Sequence, residues 1–173
     1  FLMKKISLFF FFFFLNNFLY ANEKVVYLDV NFLLTESEVG KYVNSNLKKI
    51  TDDNNELFKS LEKELKLDEE KLLAQQNILK KEDYDKKLSE LRNKFKLYQD
   101  KKNSKNKELN LLRNNAGNTI LKNINEIMTE YSKKNSISLV IQKQSIIIGK
   151  TELDVTNNIL ELLNKKITKL ELK

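Results

Sequence analysis

Residues 86–107 carry nine basic side chains against two acids, Glu90 and Asp100, a net charge of +7. Six of the lysines, Lys94, Lys96, Lys101, Lys102, Lys105 and Lys107, are interleaved with two aromatic residues, Phe95 and Tyr98. The chemistry this stretch offers is attraction rather than bond-making. Surplus positive charge draws anions from a distance, and rings between the charges add apolar contacts. These eight residues are the candidate contacts for an acidic, partly apolar client or an anionic membrane surface. A plainer reading stands beside this one. Residues 51–72 hold eight acids and four lysines, net −4, so two helices of opposite charge would attract while spare lysines keep them soluble. The two readings are compatible.

Bond-making chemistry finds little support. The chain has no His to titrate near neutral pH and no Cys nucleophile. No Asp/Asn/Gly loop has calcium spacing, and Gly40, Gly117 and Gly149 lie too far apart to form a phosphate loop. No enzyme activity, cofactor or metal is therefore expected. Zero Pro and three Gly in 173 residues favour long helices. With no disulfides available, stability must come from a core or from an oligomer.

The basic stretch needs an element to carry it. From Tyr42 to Lys81 apolar residues recur at Leu47, Ile50, Leu57, Phe58, Leu61, Leu65, Leu72 and Leu79, a seven-residue rhythm with polar gaps. Residues 80–87 read as a turn, with Asp83 as a cap. The return stripe runs Tyr84, Leu88, Leu91, Phe95, Tyr98, Lys102, Lys105, Leu109, Leu112 and Ala116, then shifts near Gly117 to Ile120, Ile124, Ile127 and Tyr131. The spacing predicts an antiparallel helical hairpin with Leu72 facing Leu91, Leu65 facing Tyr98 and Leu61 facing Lys102. Lys102 and Lys105 fall on the seam, where they either fix register or weaken the middle of the arm.

The hairpin must project from a base. Residues 24–30, "KVVYLDV", read as a strand, and Thr35 or Ser37 can cap a helix beginning near Glu38. Residues 137–143 and 145–150 are strand-like and β-branched. A helix follows with Thr156 as cap and Ile159, Leu160, Leu163 and Ile167 on one face. The strands are too few for a core of their own, which predicts an oligomer sharing one β body. The fold class is thus α+β: a small β body built from both chain ends (22–41 and 132–173) with a long helical hairpin inserted (42–131).

Residues 1–21 read as an export leader. Lys4 and Lys5 precede an apolar run from Ile6 to Leu15 that includes Phe9–Phe14, and Leu19-Tyr20-Ala21 ends in a small residue suited to cleavage. Ten residues at about 1.5 Å each are too short to cross a bilayer core of roughly 30 Å. Phe1 and Leu2 precede the first Met and read as an over-extended frame. Without residues 1–21 the chain holds 29 basic and 24 acidic residues, net +5.

The two ends carry a family likeness. "VVYLDVNFLLTESEVGKYV" resembles the first strand and turn of the Skp/OmpH family of periplasmic chaperones. "YSKKNSISLVIQKQSIIIGKTELDVTNNILELLNK", with its Asp154-Val155-Thr156 step, resembles the closing half. The resemblance spans residues 24–166 and implies a trimer whose β-barrel body holds three hairpins around a cavity. It implies an ATP-independent holdase for unfolded outer-membrane proteins, working in the periplasm without catalytic residues. A lipopolysaccharide patch proposed for some members has no residue-by-residue counterpart here, so anionic lipid or lipopolysaccharide is a possible partner without assigned contacts. Two alternatives stay open. One is a structural coiled-coil spacer in the envelope. The other is a basic nucleic-acid-binding coiled coil, disfavoured by the leader and by having only Arg92 and Arg113 for bidentate phosphate contacts.

Overall fold

The structure is a computed structural model that describes residues 23–172. The expected leader, its Phe run and its cleavage after Ala21 lie outside the described residues. The elements run β1 (Lys24–Leu28), α1 (Val30–Glu36), α2 (Glu38–Ala74), α3 (Lys81–Lys134), β2 (Ile137–Gln142), two single 3₁₀ turns (Lys143–Ser145 and Thr151–Leu153) and α4 (Thr156–Lys166). Both chain ends meet in a body, and the α2–α3 hairpin is inserted between them, as the sequence pattern predicts.

β1 and β2 pair in parallel, with Val25 opposite Leu139 and Leu28 opposite Gln142. Parallel neighbours cannot be joined by a tight turn and need a long crossover, which here is the whole hairpin. Residues 145–150 do not form the expected further strand. Asp154 bridges to Tyr27, and Val155 N–H donates to Tyr27 O at 3.0 Å, so the second edge of β1 is already taken. Instead the Tyr27 hydroxyl donates to Lys150 O at 3.1 Å. Gly149 lies so close to the Tyr27 ring that a Cβ there would come within 2.8 Å of it. The segment is thereby held as a loop, with Ile147 99% and Ile148 91% exposed.

The strand expected over 24–30 ends at Leu28, and a short helix, α1, intervenes before α2. Asp29 starts α1 by accepting from Phe32 N–H at 3.0 Å. Ser37 then caps α2, its hydroxyl accepting from Gly40 N–H at 3.1 Å. The hairpin turn falls at 75–80 rather than 80–87. Backbone bonds from Gln75 N–H to Leu72 O and from Leu79 N–H to Gln75 O close it, so it needs neither Gly nor a side-chain cap. Asp83 lies inside the first turn of α3 rather than capping it, where with Glu82 its charge complements the helix dipole. α3 runs unbroken through Gly117, so that glycine marks no joint.

One chain does assemble a core, contrary to the expectation that its strands were too few. Helices supply most of it. Leu33 of α1, Val39, Val43 and Leu47 of α2, and Ile159 and Leu163 of α4 pack with Val26, Leu28 and Val155. The Ile120, Ile124 and Ile127 stripe of α3 completes it together with Ala116 and Met128. Thr156 is the first residue of α4 rather than its cap. Its hydroxyl accepts from Asp29 N–H at 2.9 Å and donates to Asp154, which also accepts from Thr156 N–H at 3.0 Å and Lys143 Nζ at 2.9 Å. This latch ties the end of β1 to the start of α4.

Two glycines give opposite predictions. A Cβ on Gly40 would sit 2.3 Å from Leu34 O, whereas one on Gly117 meets nothing within 4 Å. Gly40→Ala should therefore destabilise by about 1–3 kcal/mol, and Gly117→Ala should stabilise by about 0.5–1 kcal/mol; denaturant unfolding reads both. Burial tends to raise the Asp154 carboxyl, but the bonds from Thr156 and Lys143 outweigh it, and the group titrates below the usual Asp range. A carboxylate depressed in the folded state contributes stability above its unfolded value of about 3.9 and loses it as pH falls through the folded value. Amide exchange at the start of α4 should accelerate below about pH 4, and Asp154→Asn should remove that acid dependence.

Candidate functional site

The candidate residues lie on α3 where it pairs with α2. Two helices alone bury one stripe, and along this arm only Phe58, Leu72 and Tyr98 are buried. Leu61, Leu65, Leu88 and Leu91 are half-buried. Cross-pair bonds match the predicted register closely: Lys94 Nζ reaches Asp68 at 2.6 Å, and Lys87 Nζ reaches the Gln75 side chain at 2.7 Å. Leu72 and Leu91 line one hollow, and Leu61, Leu65 and Tyr98 line another.

At mid-arm the seam turns polar. The Tyr98 hydroxyl donates to Glu62, and Lys102 Nζ lies 2.9 Å from that hydroxyl and 3.2 Å from Glu62 Oε1. The same ammonium sits 5.9 Å from the centroid of the Phe58 ring and 5.4 Å from that of Tyr98. The two rings meet edge-on at 86°. Hydrogen bonds from Tyr98 and Lys102 hold the Glu62 carboxyl below its ordinary range, and Tyr98 and Glu62 push the Lys102 ammonium upward. Lys102 thus occupies its seam position as a cross-linking group. Lys105, also half-exposed, turns along its own helix to Glu108 at 2.7 Å.

This pairing divides the six candidate lysines. Lys94, Lys102 and Lys105 have carboxylate partners. Lys96, Lys101 and Lys107, together with Arg92, are exposed and form no ion pair among the described residues. The attraction between oppositely charged helices therefore engages part of the basic run, and the remainder faces solvent. The rings divide as well. Tyr98 is a buried seam residue, but Phe95 is 53% exposed and meets Tyr98 only at a tilted 6.1 Å. Its heptad position suggested burial, yet it lies on the flank. Leu97 and Leu111 are exposed apolar residues that the seam pattern passes over. Their off-seam positions in an otherwise polar run were the available signal.

The flanks of the seam differ in shape. On the Phe95 side, Leu65, Leu88, Leu91 and Tyr98 floor an open groove of about 870 Å³, rimmed on α3 by Arg92, Gln99 and Lys102 and on α2 by Glu62, Lys66 and Glu69. The other flank offers two smaller hollows, about 230 Å³ near Leu61, Leu97 and Lys101 and about 240 Å³ near Leu72, Lys87 and Lys94. The body also exposes apolar side chains, Leu139 and Val140 on β2 and Ile147 and Ile148 in the loop after it. Among the described residues no helix is long and apolar enough to cross a membrane.

Comparison with known proteins agrees with this architecture. The chain is similar in structure to a candidate outer membrane chaperone, OmpH-like, from Caulobacter crescentus CB15, with a TM-score of 0.79 at 18% identity over 86% of this chain and 88% of that one. At that identity the likeness speaks for the fold. No curated protein matches the sequence. The family described as outer membrane protein (OmpH-like) matches residues 24–163, which hold the sheet, the hairpin and most of α4. The chain therefore belongs to the OmpH-like family.

Proposed function

We propose that this protein is an ATP-independent holdase of the periplasm that binds unfolded outer-membrane proteins and keeps them from aggregating. The observation that carries the reading is the arm's surface. Phe95, Leu97 and Leu111 stand exposed beside Lys96, Lys101 and Lys107, which lack carboxylate partners. Many weak apolar contacts inside a positive field suit an extended chain with apolar strands and acidic loops, and no nucleotide is needed to release it. Family membership and the likeness to a candidate outer membrane chaperone support the same reading. Export by the leader would put the protein where such clients pass.

The functional unit is an oligomer, with three copies the number implied by the family. The outer edge of β2 is covered by no strand of the described residues, Leu139 and Val140 on that strand are exposed, and Ile147 and Ile148 stand out from the following loop. An open edge with apolar side chains invites pairing with another chain. Burying these residues against further copies would let several arms surround one client.

Three outcomes test the reading. The chain from residue 22 onward should abolish most of the light scattering that follows dilution of a urea-unfolded barrel protein; scattering as fast as without it would end the holdase proposal. Lys96→Gln, Lys101→Gln and Lys107→Gln together should slow client capture about tenfold at low salt, with the difference fading as screening shortens the Debye length to about 3 Å at 1 M. In sedimentation equilibrium, Ile147→Asp with Ile148→Asp should reduce the molar mass to that of one chain, while the wild type gives a small multiple of it.

A further inference from the structure

Building on the chaperone reading, we propose that the groove on the Phe95 flank is a discrete binding site for an extended client segment, taking an aromatic side chain in the groove and an adjacent carboxylate on Arg92. The two flanks of the arm are unequal, and their difference has chemical content. The Phe95 side offers about 870 Å³ over a floor of half-buried leucines and the Tyr98 ring, within the range of about 300–1,000 Å³ in which proteins hold compact ligands. The Leu97 side is divided into two hollows that share Lys94, of about 230 and 240 Å³, each below that range.

Phe95 borders the larger groove with half of its surface open to solvent and tilts 37° from Tyr98. A ring entering the groove would find an aromatic edge or face on that wall and aliphatic carbons below, the surroundings in which aromatic groups gain most from burial. Arg92 stands three residues before Phe95, on the same side of α3, and borders the same groove. It has no hydrogen-bond or ion-pair partner among the described residues. Its planar fork suits two-point capture of a carboxylate, which an ammonium does not match. The other basic groups at the rim compete weakly for that role. Lys102 is engaged by Tyr98 and Glu62, and Lys66, a point charge rather than a fork, shares the α2 side of the groove with the carboxylates Glu62 and Glu69.

The absence of cysteine gives a direct test in the exported, assembled protein. A benzophenone is attached to Gln99→Cys, at the lip of the groove, or to Glu64→Cys, on the opposite flank. Each labelled protein is illuminated with an unstructured twelve-residue peptide containing Trp-Asp, Trp-Asn or Ala-Asp. The Gln99 label should capture Trp-Asp at least fivefold more than the Glu64 label does, and more than it captures either other peptide. Arg92→Gln should equalise Trp-Asp and Trp-Asn without reducing Trp-Asn, and Arg92→Lys should restore the preference only in part. Equal capture on both flanks, or no preference for Trp over Ala, overturns the site, as does displacement of Trp-Asp by phosphatidylglycerol vesicles but not by unlabelled peptide. Light scattering of a diluted barrel protein is measured in parallel on the unlabelled wild type. Normal suppression with equal capture sinks the groove alone, and lost suppression sinks the holdase reading beneath it.

Discussion

A pair of antiparallel helices can bury only one stripe along each partner. That geometric limit governs this molecule. Between the body and the turn, Phe58, Leu72 and Tyr98 alone are buried, so the arm has few apolar contacts with which to resist opening. Everything off the seam is exposed by construction, whether lysine or leucine. An arm of this kind is a large, accessible and weakly committed surface, and its stability has to be borrowed from its root. The root supplies it. α3 continues past the arm into the body, where Ala116, Ile120, Ile124, Ile127 and Met128 join the core. A long helix clamped at one end remains directed even where its free half is thinly packed.

The mid-arm cluster shows how the seam compensates. Phe58, Glu62, Tyr98 and Lys102 combine an edge-on ring pair, a cation against both rings and a three-way hydrogen-bond set. Each exposed ion pair alone contributes little, because water screens it. Their joint geometry nevertheless favours one register, because after sliding either helix by a turn Glu62 can no longer reach Tyr98 and Lys102 together. Specificity of alignment is the main product, as with other polar groups placed in helical seams. A seam lysine that would otherwise loosen the arm is in this way made part of its registration.

The sequence disclosed the large features and concealed several local ones, each for a physical reason. The Ile120–Ile124–Ile127 stripe and the Ser37 cap were legible because helix periodicity and capping chemistry are local. The register followed from the heptads. The turn at 75–80 was hidden because backbone bonds close it around ordinary residues, leaving no Gly or Pro as punctuation. α1 was hidden because seven residues after a strand are too few to display a period. Residues 145–150 have strand composition but no strand, since β-propensity expresses packing against neighbours, and Asp154 already occupies the edge of β1 on which they could have paired. At the candidate site the composition announced a basic, aromatic stretch. Only the geometry separates Lys94, Lys102 and Lys105, held by carboxylates, from Lys96, Lys101 and Lys107, which are not, and only burial separates Tyr98 from Phe95.

The exposed isoleucines of the body extend the same reasoning from the arm to the assembly. Ile147 and Ile148 are not left out by accident of a loose loop. The Tyr27 hydroxyl holds Lys150 O, the Tyr27 ring lies against Gly149, and Lys143 and Gln144 just upstream bond to Asp154 and Asp29. The loop is fastened on both sides, and the two side chains between the fastenings are presented outward. Fixing a loop in advance removes much of the ordering cost that association would otherwise incur. The same latch residues that join the chain ends, Asp29 and Asp154, also fasten this loop. Closure of the body and presentation of its apolar region are thus coupled: a chain whose ends have not met cannot display the surface through which copies would join. On the proposed reading, that coupling delays assembly until each body is folded, so that arms are gathered around a client only when every one of them has a firm root.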